Sequence, residues 1–209
     1  MPSLIEPVVA AGALAARTQP VIDGYGLRLR PWRDADVPAL IAAYADPEIA
    51  RWHARTLADE REARAWLAER ERGRERETAI DWAIVDPDDD HTPLGRAGLN
   101  QLDLAEGVGE VAYWVAPEHR GANVGARATC VLADWAFDEL GLHRLGLLHS
   151  IGNEGSCRVA DRALFRYEGT LRGHALHGDG WHDMHVHGRL ADDPRPTFTE
   201  RTASRARPR

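Results

Sequence analysis

The chain has 209 residues, 44% hydrophobic and 28% charged, with a net charge of -7 at pH 7. That composition fits one globular domain and excludes a disordered chain; no apolar run approaches the roughly 20 residues of a bilayer span, and the acidic balance argues against a general nucleic-acid binder. All 26 basic residues are arginine, which excludes lysine Schiff-base and Walker-type phosphate chemistry.

In chain order, residues 1–24 read as a loosely attached arm rich in alanine and glycine. The arm opens on an apolar stretch with no basic residue ahead of it, so a secretory signal is not expected. Leu27-Arg28-Leu29-Arg30 alternates with period two and predicts a strand. Asp34 or Asp36 is a candidate cap for a helix through Leu40, Ile41 and Tyr44, with Asp46-Pro47 as its stop. Thr56 and Asp59 form a capping box for a second helix through Ala63, Trp66, Leu67 and Arg70, with Gly73 at its end. Strands are predicted over 78–85, 94–102 and 109–115, with turns at 86–90 and 106–107, as an antiparallel meander.

A long helix then carries Val131, Leu132, Trp135, Ala136 and Leu140 on one face and ends at Gly141. Residues 143–149 predict a strand, 153–165 contain a short helix and 181–190 predict a last strand. The proline-containing polar stretch 192–209 reads as a disordered tail. The domain proper is 25–191, with the order β-α-α-β-β-β-α-β-α-β, an α+β fold on a mixed sheet. Cys130 and Cys157 stand far apart and outside any CxxC pair. Neither a disulfide framework nor a structural zinc site is expected, and a reduced cytoplasm is the expected setting.

The stretch richest in chemistry runs from Val111 through Val115 into Arg120-Gly121-Ala122-Asn123-Val124-Gly125-Ala126. It reads as strand, tight loop and helix start. Small residues let backbone N–H groups approach a ligand, and a helix start has unpaired N–H groups at the positive end of its dipole. That combination suits a pyrophosphate, and Arg120 adds a charge. Similar helix starts also occur as plain turns.

With its flanking motifs, the chain resembles the GNAT superfamily of acyl-CoA-dependent N-acyltransferases, RimJ/RimL-type, from Leu27 to Leu190. Leu29-Arg30-Pro31-Trp32 and Asp34 match the family's opening, and Arg120 through Gly125 its acyl-CoA motif. Asn153-Glu154-Gly155-Ser156 matches its Asn-x-x-Ser motif, and Trp181-His182-Asp183 its ending. Two places depart from the family pattern. Asn123 replaces the central glycine of the loop, and Leu164-Phe165 replaces Gly-Phe after the short helix.

The resemblance implies a mixed, mostly antiparallel central sheet flanked by helices. It implies transfer of an acetyl group from acetyl-CoA to a primary amine, either a protein N-terminal α-amine or a small-molecule amine, with no metal. Acyl-CoA would lie between the strand ending at Val115 and a parallel neighbour that splays from it. Val115, Arg120, Gly121, Ala122, Asn123, Val124, Gly125, Ala126 and Asn153 would hold it, and an N–H near Val115 would polarise the thioester carbonyl. A cytoplasmic homodimer is also implied. The alternatives are another donor such as succinyl-CoA, or a non-catalytic acyl-CoA-binding regulatory module.

Glu110 is the candidate base, acting through a water, or else an ordinary strand carboxylate. His149 is the second candidate base, or else a buried, hydrogen-bonded histidine. Ser156 is the candidate acid for the departing thiolate, or an N-cap, or both. Asn153 contacts the pantetheine arm or serves as a turn residue, and Tyr113 packs near the acceptor or in the core. On a strand, His185 and His187 face one side and His182 the other, so three metal ligands do not converge. Neither cysteine has an evident base, so no acyl-cysteine step is expected.

Overall fold

Three consecutive strands form the centre of the sheet, the outer two carrying β-branched and aromatic residues and the middle one small residues and leucine. The computed structural model describes residues 4–198. β3 (Ile80–Val85) is buried throughout, β4 (Gly95–Asp103) pairs antiparallel with it, and β5 (Val108–Val115) pairs antiparallel with β4. This is the predicted meander. β1 (Ile22–Gly24) and β2 (Leu27–Arg30) extend one side; β6 (Arg144–Ser150), β7 (Arg166–His177) and β8 (Gly180–Leu190) extend the other. The sheet order is β1-β2-β3-β4-β5-β6-β8-β7, and among the described residues the β5–β6 pair alone is parallel.

Successive residues of β5 serve opposite faces. Val111 joins a core built with α4 (Val124–Trp135), which includes Trp82, Leu99 and Leu132. Trp114 joins a second core built with α1 (Val37–Ala45), α2 (Pro47–His53) and α3 (Glu60–Glu75), where Tyr44 and Trp66 pack against one another. The Leu29–Trp32 motif turns out to be structural. Arg30 forks onto Asp36 at 2.7 and 2.8 Å, and both side chains are buried. That engagement is why Asp36, although it precedes α1, makes no side-chain cap.

Three elements escape the sequence reading. Asp46-Pro47 is the start of α2 as well as the stop of α1: Asp46 accepts from the Ile49 N–H at 3.0 Å and Pro47 occupies the first helical position. β7 is an exposed edge strand with bulges around Gly169 and Gly173, so it has no alternating apolar pattern. β1 is only three residues long. The cap of α3 is Asp59, which accepts from the Glu62 N–H, while Glu62 reaches back to the Ala58 N–H. Thr56 has no part in it, and α3 continues past Gly73 to Glu75.

The arm is docked rather than loose. Glu77 accepts the N–H groups of Gly12, Leu14 and Ala15, and the Leu14 side chain is buried. Val8 and Val9 donate to Ala105 and Leu104, and Trp82 donates to the Pro20 carbonyl. The first part of the predicted tail is also attached: Arg195 forks onto Asp138, and Phe198 meets Tyr25 edge-on. The rest of that predicted disordered segment, 199–209, lies outside the described residues.

Candidate active site

The parallel pair opens a cleft in the sheet. β5 and β6 are in register only at Val108–Arg144, Gly109–Leu145 and Glu110–Gly146. Beyond that point β5 stays on β4 as far as Val115, while β6 follows β8 as far as Ser150. The backbone edge of residues 111–115 is left without a strand partner on the β6 side. His53 from α2 reaches the Tyr113 carbonyl at 3.1 Å, and Arg120 donates to the Val115 carbonyl at 3.2 Å. A strand residue's N–H and C=O point to the same edge, so the amides of Tyr113 and Val115 open on the cleft.

One wall of the cleft is the loop leading into α4. Gly121 and Asn123 both have left-handed backbone, with φ of 80° and 59°. Asparagine is among the few non-glycine residues that tolerate that region, so the loop keeps its shape. Leu164, the other departure from the family pattern, also has positive φ, at 58°. Both departures therefore fall where the backbone itself favours glycine.

Asn123 offers no side-chain cap, so the N–H groups of the first turn of α4 have no acceptor within the helix. Its amide oxygen accepts from Arg162 instead. Gly125 lies under the loop, where a Cβ would stand 3.2 Å from the Tyr113 ring and 3.3 Å from Val159. Uncapped amides and this close-packed glycine floor fit a pyrophosphate. The cleft here is about 510 Å3 and is also lined by Arg120, Arg158 and Arg162. Arg120 is tied to Asp46 at 2.6 Å as well as to Val115, so its guanidinium is part of the wall. Arg158 and Arg162 are the cations that sequence reasoning missed; they lie one helical turn apart on α5 (Glu154–Arg162).

A second cavity of about 390 Å3 meets the first. Trp52, His53, Tyr113, Asn153 and Ser156 line both. Asn153 caps α5, its side chain accepting from the Ser156 N–H at 3.0 Å. Ser156 is therefore not the cap, and its hydroxyl pairs with the Tyr113 hydroxyl at 2.8 Å. Burial pushes the Tyr113 phenol up to about 12. Burial also pushes His53 down to about 4, with Arg96 adding to the effect, so the ring is neutral at pH 7.

Glu110 lines the second cavity, where Gln101 donates to it at 3.2 Å. Burial raises its carboxyl above the ordinary value, and His174 partly opposes this. Gln101 itself has left-handed backbone at a bulge in β4. His149 lines the same cavity, but both its ring nitrogens are engaged, Nδ1 with the Ser150 carbonyl at 2.8 Å and Nε2 with His187 at 3.2 Å. It is the buried histidine of the two alternatives, Nδ1 held by a backbone carbonyl and Nε2 turned to the His187 ring. His53, Gln101 and His174 went unnoticed in the sequence because they come from three separate segments.

The chain belongs to the family described as acetyltransferase (GNAT) domain, which matches residues 26–166. It is thus an acyl-CoA-dependent N-acetyltransferase by family. YdaF of Bacillus subtilis, named as a candidate ribosomal N-acetyltransferase, is 34% identical over 93 residues, 44% of this chain and 50% of YdaF. The uncharacterized N-acetyltransferase YoaA of the same organism is 25% identical over 175 residues, covering 80% of this chain and 95% of YoaA. Among solved structures, Mycobacterium smegmatis RimJ in complex with CoA-disulfide superposes with a TM-score of 0.73 at 20% identity, covering 82% of this chain and 86% of that one. No helix among the described residues is long and apolar enough to cross a membrane.

Proposed function

We propose that this acetyltransferase modifies the N-terminal α-amine of a protein, with Glu110 as base and the Ser156–Tyr113 hydroxyl pair as acid. The observation that carries the reading is the second cavity. Among the described residues lining it, Glu110 is the one carboxylate, and it stands among amide, imidazole, hydroxyl and apolar side chains. A polyamine or aminoglycoside carries several ammonium groups and would favour several carboxylates. One amine fits one base. An α-amine also titrates near ~8 against ~10.4 for lysine, so more of it is neutral at pH 7.

Acetyl-CoA supplies the activated thioester. The α4 amides, with Arg158 and Arg162 nearby, are suited to its phosphates. The Val115 amide faces the cleft where the carbonyl oxygen gains negative charge as the amine attacks. Glu110, its basicity raised by burial, takes the amine proton directly or through a water. As the C–S bond breaks, the Ser156 hydroxyl donates to the sulfur, with Tyr113 holding its orientation. No arginine lines the second cavity among the described residues, which favours acetyl over a succinyl group with its free carboxylate. The reading includes a cytoplasmic setting, in keeping with the two free cysteines. It also includes a homodimer, for which exposed Leu176 and Trp181 offer apolar surface.

The test is release of free CoA thiol with three acceptors: a peptide with a free N-terminus, the same peptide Nα-acetylated, and spermidine. The free peptide should turn over and the blocked one should not. Spermidine should have a kcat/KM at least about tenfold lower, the factor that a 1.4 kcal/mol preference produces. A preference for spermidine overturns the acceptor assignment. No thiol release with any amine favours the non-catalytic reading.

A further inference from the structure

Bordering the second cavity, which His149 also lines, four metal-ligating side chains converge from three elements. His149 comes from β6, Cys157 from α5, and His185 and His187 from β8. One donor atom from each lies within 4.8 Å of all the others. His185 and His187 do share one side of their strand, as alternation requires, and His182 does not join them. The missing ligands come from neighbouring elements: His149 stands directly across from His185 in the β6–β8 ladder, and Cys157 from α5 reaches His185 Nδ1 at 3.9 Å.

The hydrogen bonds also orient the donors. A backbone carbonyl can only accept, so Nδ1 of His149 donates to the Ser150 carbonyl at 2.8 Å and Nδ1 of His187 donates to the Phe165 carbonyl at 3.3 Å. In each neutral ring the lone pair is then on Nε2, and the two Nε2 atoms face one another at 3.2 Å. Two facing lone pairs repel unless a cation stands between them. A second ring nitrogen bonded to a backbone carbonyl is also the usual arrangement that fixes a metal-binding histidine. Tyr167 meets the His185 and His187 rings edge-on, and His149 and His187 are buried, which limits their rotation.

We propose that His149, Cys157, His185 and His187 form a binding site for one divalent transition metal of zinc's type. Tetrahedral zinc, with bonds of about 2.0–2.1 Å to nitrogen and about 2.3 Å to sulfur, has N···N edges near ~3.3 Å and N···S edges near ~3.6 Å. The 3.2 Å and 3.9 Å separations are close to those edges. On binding, the Cys157 thiol releases its proton to solvent and ligates as thiolate, while the three imidazoles ligate neutral, leaving a net charge of +1. The mixed nitrogen and sulfur set selects zinc or cobalt over magnesium or calcium. Bound metal would fasten α5, which carries Asn153 and Ser156, to β6 and β8.

The test uses the full chain, stripped with chelator and titrated with Co2+ and separately with Zn2+. The expected result is one Co2+ per chain, with the intense visible bands of a tetrahedral centre and a thiolate charge-transfer band. Cys157→Ser should abolish that band and weaken Zn2+ binding by more than about tenfold, since even loss of an outer-shell partner costs that much. Cys157 is half-buried, so this variant keeps the core intact. His187→Gln should weaken binding similarly, and His182→Gln, outside the cluster, should leave it unchanged. Zn2+ should also raise the melting temperature of wild type but not of Cys157→Ser. Lack of saturable binding overturns the proposal and leaves a shared proton between the two rings. So does a Co2+ spectrum unaltered by Cys157→Ser. Neither result bears on acetyl transfer, which is read by thiol release.

Discussion

The two sides of the cleft are built differently. The donor side is made largely of backbone: the amides that open α4, the left-handed Gly121 and Asn123, and Gly125 packed against Tyr113. The acceptor side is made of side chains from distant segments: Trp52 and His53 from α2, Gln101 from a bulge, Glu110 from β5 and His174 from the edge hairpin. A backbone site needs particular conformations over a short run, and a side-chain site needs particular contacts across the fold. The two should therefore fail in different ways.

The largest effect on stability falls on the acceptor side. Burial holds His53 near a pKa of about 4, below its ordinary value of about 6.5. Between those values the unfolded chain binds more protons than the folded one. The contribution is full above pH ~6.5 and is lost as pH falls toward ~4, amounting to about 3 kcal/mol. Urea denaturation at pH 7, 5.5 and 4 should show this loss, and His53→Gln should flatten it. An unchanged slope would mean that His53 is hydrated in solution.

On the donor side, Gly125→Val should lower CoA affinity by about a hundredfold, the upper range of overpacking at 1–3 kcal/mol. Calorimetric titration with CoA checks this, with circular dichroism to confirm folding. Ser156→Ala lies where the two sides meet. It should lower kcat by about tenfold to a hundredfold with little change in the KM for acetyl-CoA, because Asn153 caps α5 without it. A large rise in KM would instead make Ser156 a binding residue. The smallest effect is that of Asn123→Gly. Glycine meets the same φ without penalty, so CoA affinity should stay within about threefold, a change worth less than ~1 kcal/mol.

The same contrast explains what the sequence could reveal. The donor loop was legible because a helix start with Gly and Asn at left-handed positions is written in seven consecutive residues. The meander was legible because β3 and most of β4 are buried and β5 alternates along most of its length. The acceptor wall was not, because α2 and β7 were both missed. Pro47 reads equally as a stop and as a first helical residue. β7, exposed on both faces, has no periodicity to detect, although Gly178-Asp179-Gly180 between two strands was a usable hairpin signal. Glu110 was found by its place on the strand, but its burial and its Gln101 partner depend on the bulge in β4. The histidine–cysteine cluster was missed because alternation along one strand says nothing about neighbours arriving from β6 and α5.

The most direct test of Glu110 as base at the junction of the two cavities is the pH profile of kcat/KM for a free N-terminal peptide, in wild type and Glu110→Gln. Wild type should lose activity below a pKa raised above the ordinary ~4.3 of a glutamate. Glu110→Gln should fall by about 10²- to 10⁴-fold and lose that acidic limb, with CoA affinity unchanged. A Glu110→Gln enzyme with wild-type rate and the same profile would contradict the account and leave the amine to deprotonate without help from the protein.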